Sequence, residues 1–138
     1  MKIIKNLLII LCLCASCKKS TSDTDPSPVL GHWTWYKSTG GIANINITPQ
    51  STGLDWSLRF NSNSTCFQDG TFSPINNGTG TYFLTEVITP QNAVIRYINI
   101  TFAGNIREFR YSFISTDTLQ LDDKIEVDGL SNFFVREK

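Results

Sequence analysis

The sequence predicts an all-β domain: a small antiparallel up-and-down β-barrel of about eight strands. Three observations carry that expectation. Apolar and polar residues alternate with period two, most plainly at Leu54, Trp56, Leu58 and Phe60 against Asp55, Ser57 and Arg59. That is the pattern of a strand with one wet face. Turn signals recur at short intervals, at residues 61–64, Asp69-Gly70, Asn76-Asn77-Gly78, residues 89–92, Gly104-Asn105 and Asp117. No segment shows the apolar spacing of a helix.

Residues 30–36 read as an opening aromatic strand. Residues 38–52 are rich in Gly, Ser and Thr and contain Pro49, so they read as a long loop or a weak edge strand. Residues 54–60 form the next strand, 65–68 a short one, and 80–88 a longer one that Thr89-Pro90-Gln91-Asn92 breaks. Residues 93–103 and 106–114 flank Gly104-Asn105, a two-residue loop with glycine first, as a type II′ turn prefers. That loop pairs Phe102 with Arg107, Ile100 with Phe109, Ile98 with Tyr111 and Arg96 with Phe113, all on one face. The opposite face is polar, with Thr101 against Glu108 and Asn99 against Arg110, and a one-residue slip would bury those charges. Residues 118–122 turn Leu119 and Leu121 inward, 124–132 form a loop, and 132–137 form the last strand.

The N-terminus is of another kind. Met1-Lys2-Ile3-Ile4-Lys5-Asn6 is a cationic start, Leu7 to Cys14 is an unbroken apolar run, and Ala15-Ser16-Cys17 is a small-small-Cys stop. This is the layout of a secretory signal peptide, and the apolar run is too short to span a bilayer. Its end resembles a bacterial lipobox, although Cys14 stands where Leu is commoner. The resemblance implies that residues 1–16 are removed and that Cys17 is acylated, which places the protein in the bacterial envelope on a lipid anchor, at the outer membrane. Residues 17–28 are polar and Pro-containing and read as a flexible tether. Residues 29–138 suffice for one domain.

Loss of Lys2 and Lys5 leaves 10 Lys+Arg against 12 Asp+Glu, a net of −2. With no basic stripe, nucleic acid is not an expected partner. Cys12 and Cys14 leave with the leader and Cys17 with the lipid, so Cys66 is an unpaired, buried structural thiol. One histidine, His32, gives no metal-ligand cluster, and no nucleophile has an evident base. No enzyme, metal or cofactor is expected. Asp55, Asp69 and Glu86 read as outward carboxylates, and Asp122-Asp123, Glu126 and Asp128 as a solvated acidic loop.

Leu30-Gly31-His32-Trp33-Thr34-Trp35 resembles the Gly-x-Trp opening of lipocalins. Gly40-Gly41, Thr48-Pro49, Ser57-Leu58-Arg59-Phe60, Gly80-Thr81-Tyr82, Asp117-Thr118-Leu119 and Phe134-Val135-Arg136 follow in the order seen in small lipocalin-like lipoproteins of Bacteroidetes-type bacteria. The resemblance covers Leu30 to the end. It implies a lipocalin-like barrel in which Trp33 packs at one end and Arg136, from the last strand, covers it.

Arg96 is the most informative residue for function. The hairpin pairing turns it inward between Val94 and Ile98. There it either meets the anionic group of an apolar ligand together with Tyr111, Phe113 and Ile98, or it snorkels to water at a strand end. The expected function is binding of a small apolar or amphipathic ligand. The alternative is a filled barrel that contacts a protein or glycan through its loops.

Overall fold

The structure, a computed structural model, describes residues 28–72, 77–123 and 129–138. The leader, Cys17 and most of the tether lie outside these residues, as do Asn76, Glu126 and Asp128. The described residues form nine strands: β1 (Gly31–Gly40), β2 (Ile45–Ile47), β3 (Trp56–Phe60), β4 (Thr65–Gly70), β5 (Gly78–Ile88), β6 (Val94–Phe102), β7 (Asn105–Ser115), β8 (Thr118–Asp123) and β9 (Leu130–Arg136). Every pairing is antiparallel between chain neighbours except that β1 also pairs with β3 and with β9. The β1–β9 pairing closes an eight-stranded up-and-down barrel, consistent with a lipocalin-like all-β fold. β2 is an addition. It pairs with Ser38, Thr39 and Gly40 of β1, while β3 pairs with Gly31 to Thr34.

Residues 38–52 are therefore more ordered than the composition suggests. β1 runs on to Gly40, β2 pairs beside it, and α1 (Pro49–Thr52) makes a single helical turn. Thr48 caps that turn, accepting from the Ser51 amide while Ser51 accepts from the Thr48 amide, with Pro49 as the first helical residue. One turn is too short to show a period, so its signal is the capping pair alone. Asp69-Gly70 is also not a turn but the end of β4, paired with Trp56 and Ser57. Gly70 has φ +134, and a Cβ there would sit 2.4 Å from the Asp55 carbonyl oxygen. The glycine serves a close approach of two backbones.

The β6–β7 hairpin keeps its expected faces but shifts its register by two. Its loop is Ala103-Gly104, with Phe102 opposite Asn105, Ile100 opposite Arg107 and Ile98 opposite Phe109. A shift of two leaves each side chain on its own face. Both loop residues have positive φ, +47 at Ala103 and +80 at Gly104. That is a type I′ turn, whose twist matches the strands, and it puts glycine second.

Aromatic and aliphatic side chains pack the barrel interior. Trp33, Trp35, Trp56, Phe60, Phe102, Phe109 and Phe134 are buried with Leu58, Ile98, Ile100, Leu119 and Leu121. Each indole N–H has an acceptor: Val29 carbonyl for Trp33 at 2.7 Å, Ser38 Oγ for Trp35 at 2.8 Å and Gln68 Oε1 for Trp56 at 3.2 Å. Ser38 reaches inward because β1 shifts register between Trp35 and Lys37, so positions 33, 35 and 38 share one face. Ser38 donates onward to Asn132 Oδ1 at 2.6 Å, and Asn132 donates to the Leu121 carbonyl. Cys66 is free and buried, and burial pushes its thiol up to about 11.

One end of the barrel is tied by its last strand. The Arg136 guanidinium lies 4.2 Å from the Trp33 ring centroid. Its Nη1 donates to the Leu30 carbonyl and its Nη2 to the Pro28 carbonyl at 2.7 Å. Arg136 thus holds Pro28 to Leu30 across the Trp33 end.

Replacing Ala103 with Asn should stabilise the protein by about 1 kcal/mol, because alanine is strained at positive φ and Asn-Gly suits a type I′ turn. A denaturation midpoint that rises at constant slope is the check. Trp33→Ala should cost about 3–5 kcal/mol and Arg136→Ala less. Their double mutant should lose less than the sum, since contacting residues couple. Strict additivity in denaturant melts would contradict the stacking.

Candidate binding cleft

The β5–β6 hairpin is longer than its neighbours. β5 pairs with β4 only as far as Thr81, opposite Thr65, but with β6 down to Ile88, opposite Val94. β6 in turn pairs with β7 only from Phe102 to Tyr97, opposite Arg110. β7 itself stays paired with β8 as far as Ser115, opposite Thr118. The sheet therefore opens between β6 and β7 at Arg96 and Tyr111.

Two clefts meet at that opening. The inner one, about 530 Å³, is lined by Pro28, Leu84, Glu86, Arg96, Tyr111 and Phe113. The second, about 250 Å³, shares Arg96 and Tyr111 and adds residues of the outer face, among them Ile95, Arg110 and Asp122. Phe113 forms the floor, with its ring 6.0 Å from that of Trp33 and 6.0 Å from that of Tyr111. The cleft thus lies at the Trp33–Arg136 end, against the first described residues.

Arg96 has inward parity, in phase with the buried Ile98 and Ile100, but the opening leaves it half in water. Its Nε donates to Glu86 Oε1 at 2.8 Å, and the two side chains are 52% and 57% exposed. At such exposure the pair contributes at most about 1 kcal/mol. The guanidinium carries five N–H donors in all, so this bond leaves it able to receive a second anion. Burial pushes the Tyr111 phenol up, with Arg96 pulling it down and Glu86 adding to the rise. Tyr111 is thus a neutral hydroxyl at physiological pH.

The structure brings together Arg96, Tyr111 and Phe113 of the residues expected at a binding site. Ile98 is not with them. It is wholly buried in the core, opposite Leu84 and Phe109. Glu86 is the residue the sequence reading misplaces. It faces Arg96 in register and shares the parity of Tyr82 and Leu84. Phe83, Leu84, Val87 and Ile88 put apolar residues at both parities, which hides the phase of the strand. The buried Tyr82 is the signal that sets it.

Among the described residues no group of His, Cys, Asp and Glu could hold a metal ion, and no helix is long and apolar enough to cross a membrane. No family model matches the chain, and no curated protein matches it.

Proposed function

We propose that the chain is a lipid-anchored envelope protein, attached through Cys17, that binds a small apolar or amphipathic molecule in the cleft between β6 and β7. The observation that carries this reading is the cleft itself. About 530 Å³ lies within the range of small-molecule sites, and apolar walls with a few convergent polar groups are their usual lining. Leu84, Phe113 and the Tyr111 ring would take an apolar body, and Arg96 with the Tyr111 hydroxyl would take a polar head. Such a ligand sits at the barrel end, because aromatic side chains fill the interior. The filled interior equally favours the second reading, a non-enzymatic interaction protein that contacts a protein or glycan partner through its loops.

If Arg96 receives an anionic head, Arg96→Ala should weaken binding of a fluorescent fatty-acid probe by about 1–3 kcal/mol, the range for a charged hydrogen bond. Stability should barely change, because the Glu86 pair is exposed. Glu86→Gln should tighten the same probe by removing the competing carboxylate. A probe that binds both variants as it binds wild type would exclude the cleft as the site.

The anchor has its own test. Cys17→Ala should leave the protein uncleaved or release it in soluble form, read by membrane fractionation and intact mass. Unchanged membrane retention, with no acyl mass on the wild type, would exclude lipidation.

A further inference from the structure

Beyond the barrel proper, the chain from Glu86 to Arg96 is a two-stranded ribbon closed by a tight turn. Val87 stands opposite Ile95 on one face, and Ile88 opposite Val94 on the other. Val87 is 50% exposed, Ile88 70% and Val94 47%. The ribbon is therefore apolar on both faces, which packing against the barrel does not explain. No charged residue occurs from Val87 to Ile95, and the first charges on either side, Glu86 and Arg96, pair with each other. Three of the turn's four amides are paired within it. The Thr89 amide donates to the Ala93 carbonyl, the Asn92 amide to the Thr89 carbonyl, and the Ala93 amide to Thr89 Oγ1.

An uncharged tip, apolar on both faces and with most of its turn amides paired internally, suits an apolar medium. Large exposed apolar clusters of this kind mark contact surfaces. Another charge-free tip, between β1 and β2, exposes Ile42 and Ile45 but lies at the opposite end of the barrel, away from Pro28. Ile106 is a single exposed position opposite Thr101, also at that opposite end.

The position of the chain says which medium. Pro28, where the described residues begin, lines the same cleft as Glu86 and Arg96, so the chain joins the barrel at this end. The eleven residues 17–27 reach at most about 40 Å. With Cys17 in the bilayer, a tether of that length keeps this end within reach of the lipid, and Lys18-Lys19 follow the anchor directly in sequence. We propose that the β5–β6 tip, Val87 to Ile95, seats in the surface of the lipid bilayer, with the Glu86–Arg96 pair at headgroup level. The inference rests on anchorage at Cys17. It deepens the binding proposal, because the opening between β6 and β7 then faces the membrane and an amphipathic ligand enters from lipid.

The test uses the full chain, purified with its acyl chains and reconstituted in phosphatidylethanolamine–phosphatidylglycerol vesicles. An environment-sensitive fluorophore is placed at Ile88→Cys, at Gln91→Cys, or at Ile106→Cys as the far-end control. Cys66 is buried and stays unlabelled, and the parent protein carried through the same labelling gives the background. Labels at positions 88 and 91 should show blue-shifted emission and quenching by spin-labelled lipid. The label at 106 should be quenched only by aqueous iodide. Adding Ile88→Asp and Val94→Asp to the Gln91→Cys protein should abolish its lipid quenching while the protein still floats with the vesicles, which separates the tip from the anchor. Aqueous quenching at 88 and 91 equal to that at 106, in protein that floats, would overturn the proposal with the anchor intact. So would shielding in native membranes that is lost in pure lipid, since a protein would then cover the tip. Protein that does not float marks failure of the anchor, and the proposal falls with it.

Discussion

Three indole rings fill the barrel, and each carries an N–H that water does not reach. Burying such a donor without a partner is costly, so each ring dictates something else in the chain. Trp33 requires the carbonyl of Val29, which fixes the path of the chain before β1. Trp35 requires Ser38, and Ser38 reaches the interior only through the irregularity in β1. Trp56 requires Gln68, a buried side chain on the neighbouring strand. Asn132 exists in the core to complete the Ser38 network and ties β9 to β8. The barrel is closed by β1–β9 backbone pairing, but the identity of its interior is set by these donors and their acceptors.

The described clefts lie at the rim of this packed interior. Here the rim is not symmetrical. At the Trp33 end, β5 and β6 continue past their neighbours, and β7 leaves with β8. That divergence creates the cleft, exposes Arg96 and brings Glu86 to it. The cleft floor, Phe113, rests on Trp33, so the same ring that plugs the barrel supports the candidate site. Fold and site are thus coupled through one contact. Substitutions at Phe113 report on both, whereas substitutions at Glu86 and Arg96 report on the site alone.

What the sequence makes legible follows the same division. Period-two alternation shows β3, and the polar face of β6–β7 protects its parity, so the inward set Ile98, Ile100, Phe102, Phe109 and Tyr111 is readable. The register is less so. Ala103-Gly104 and Gly104-Asn105 are both two-residue loops containing glycine, and the strand twist that selects the first is not written in local sequence. The extension of β1 to Gly40 depends on β2 and β9 as partners, which residues 38–40 do not announce. Glu86 is misread because its strand is apolar at both parities near the tip. That ambiguity has a physical cause: the ribbon leaves the barrel there, so no core selects one face.

The most direct measurement is hydrogen exchange along β6 and β7. If the sheet parts at Arg96 and Tyr111, amides of residues 94–96 and 111–115 that point across the opening should exchange quickly. Those of residues 97–102 and 105–110 should be protected, and a fatty-acid probe should slow exchange at the opening alone. Uniform protection along the whole β6–β7 hairpin, or ligand protection confined to the barrel centre, would contradict a filled barrel that binds at its open seam.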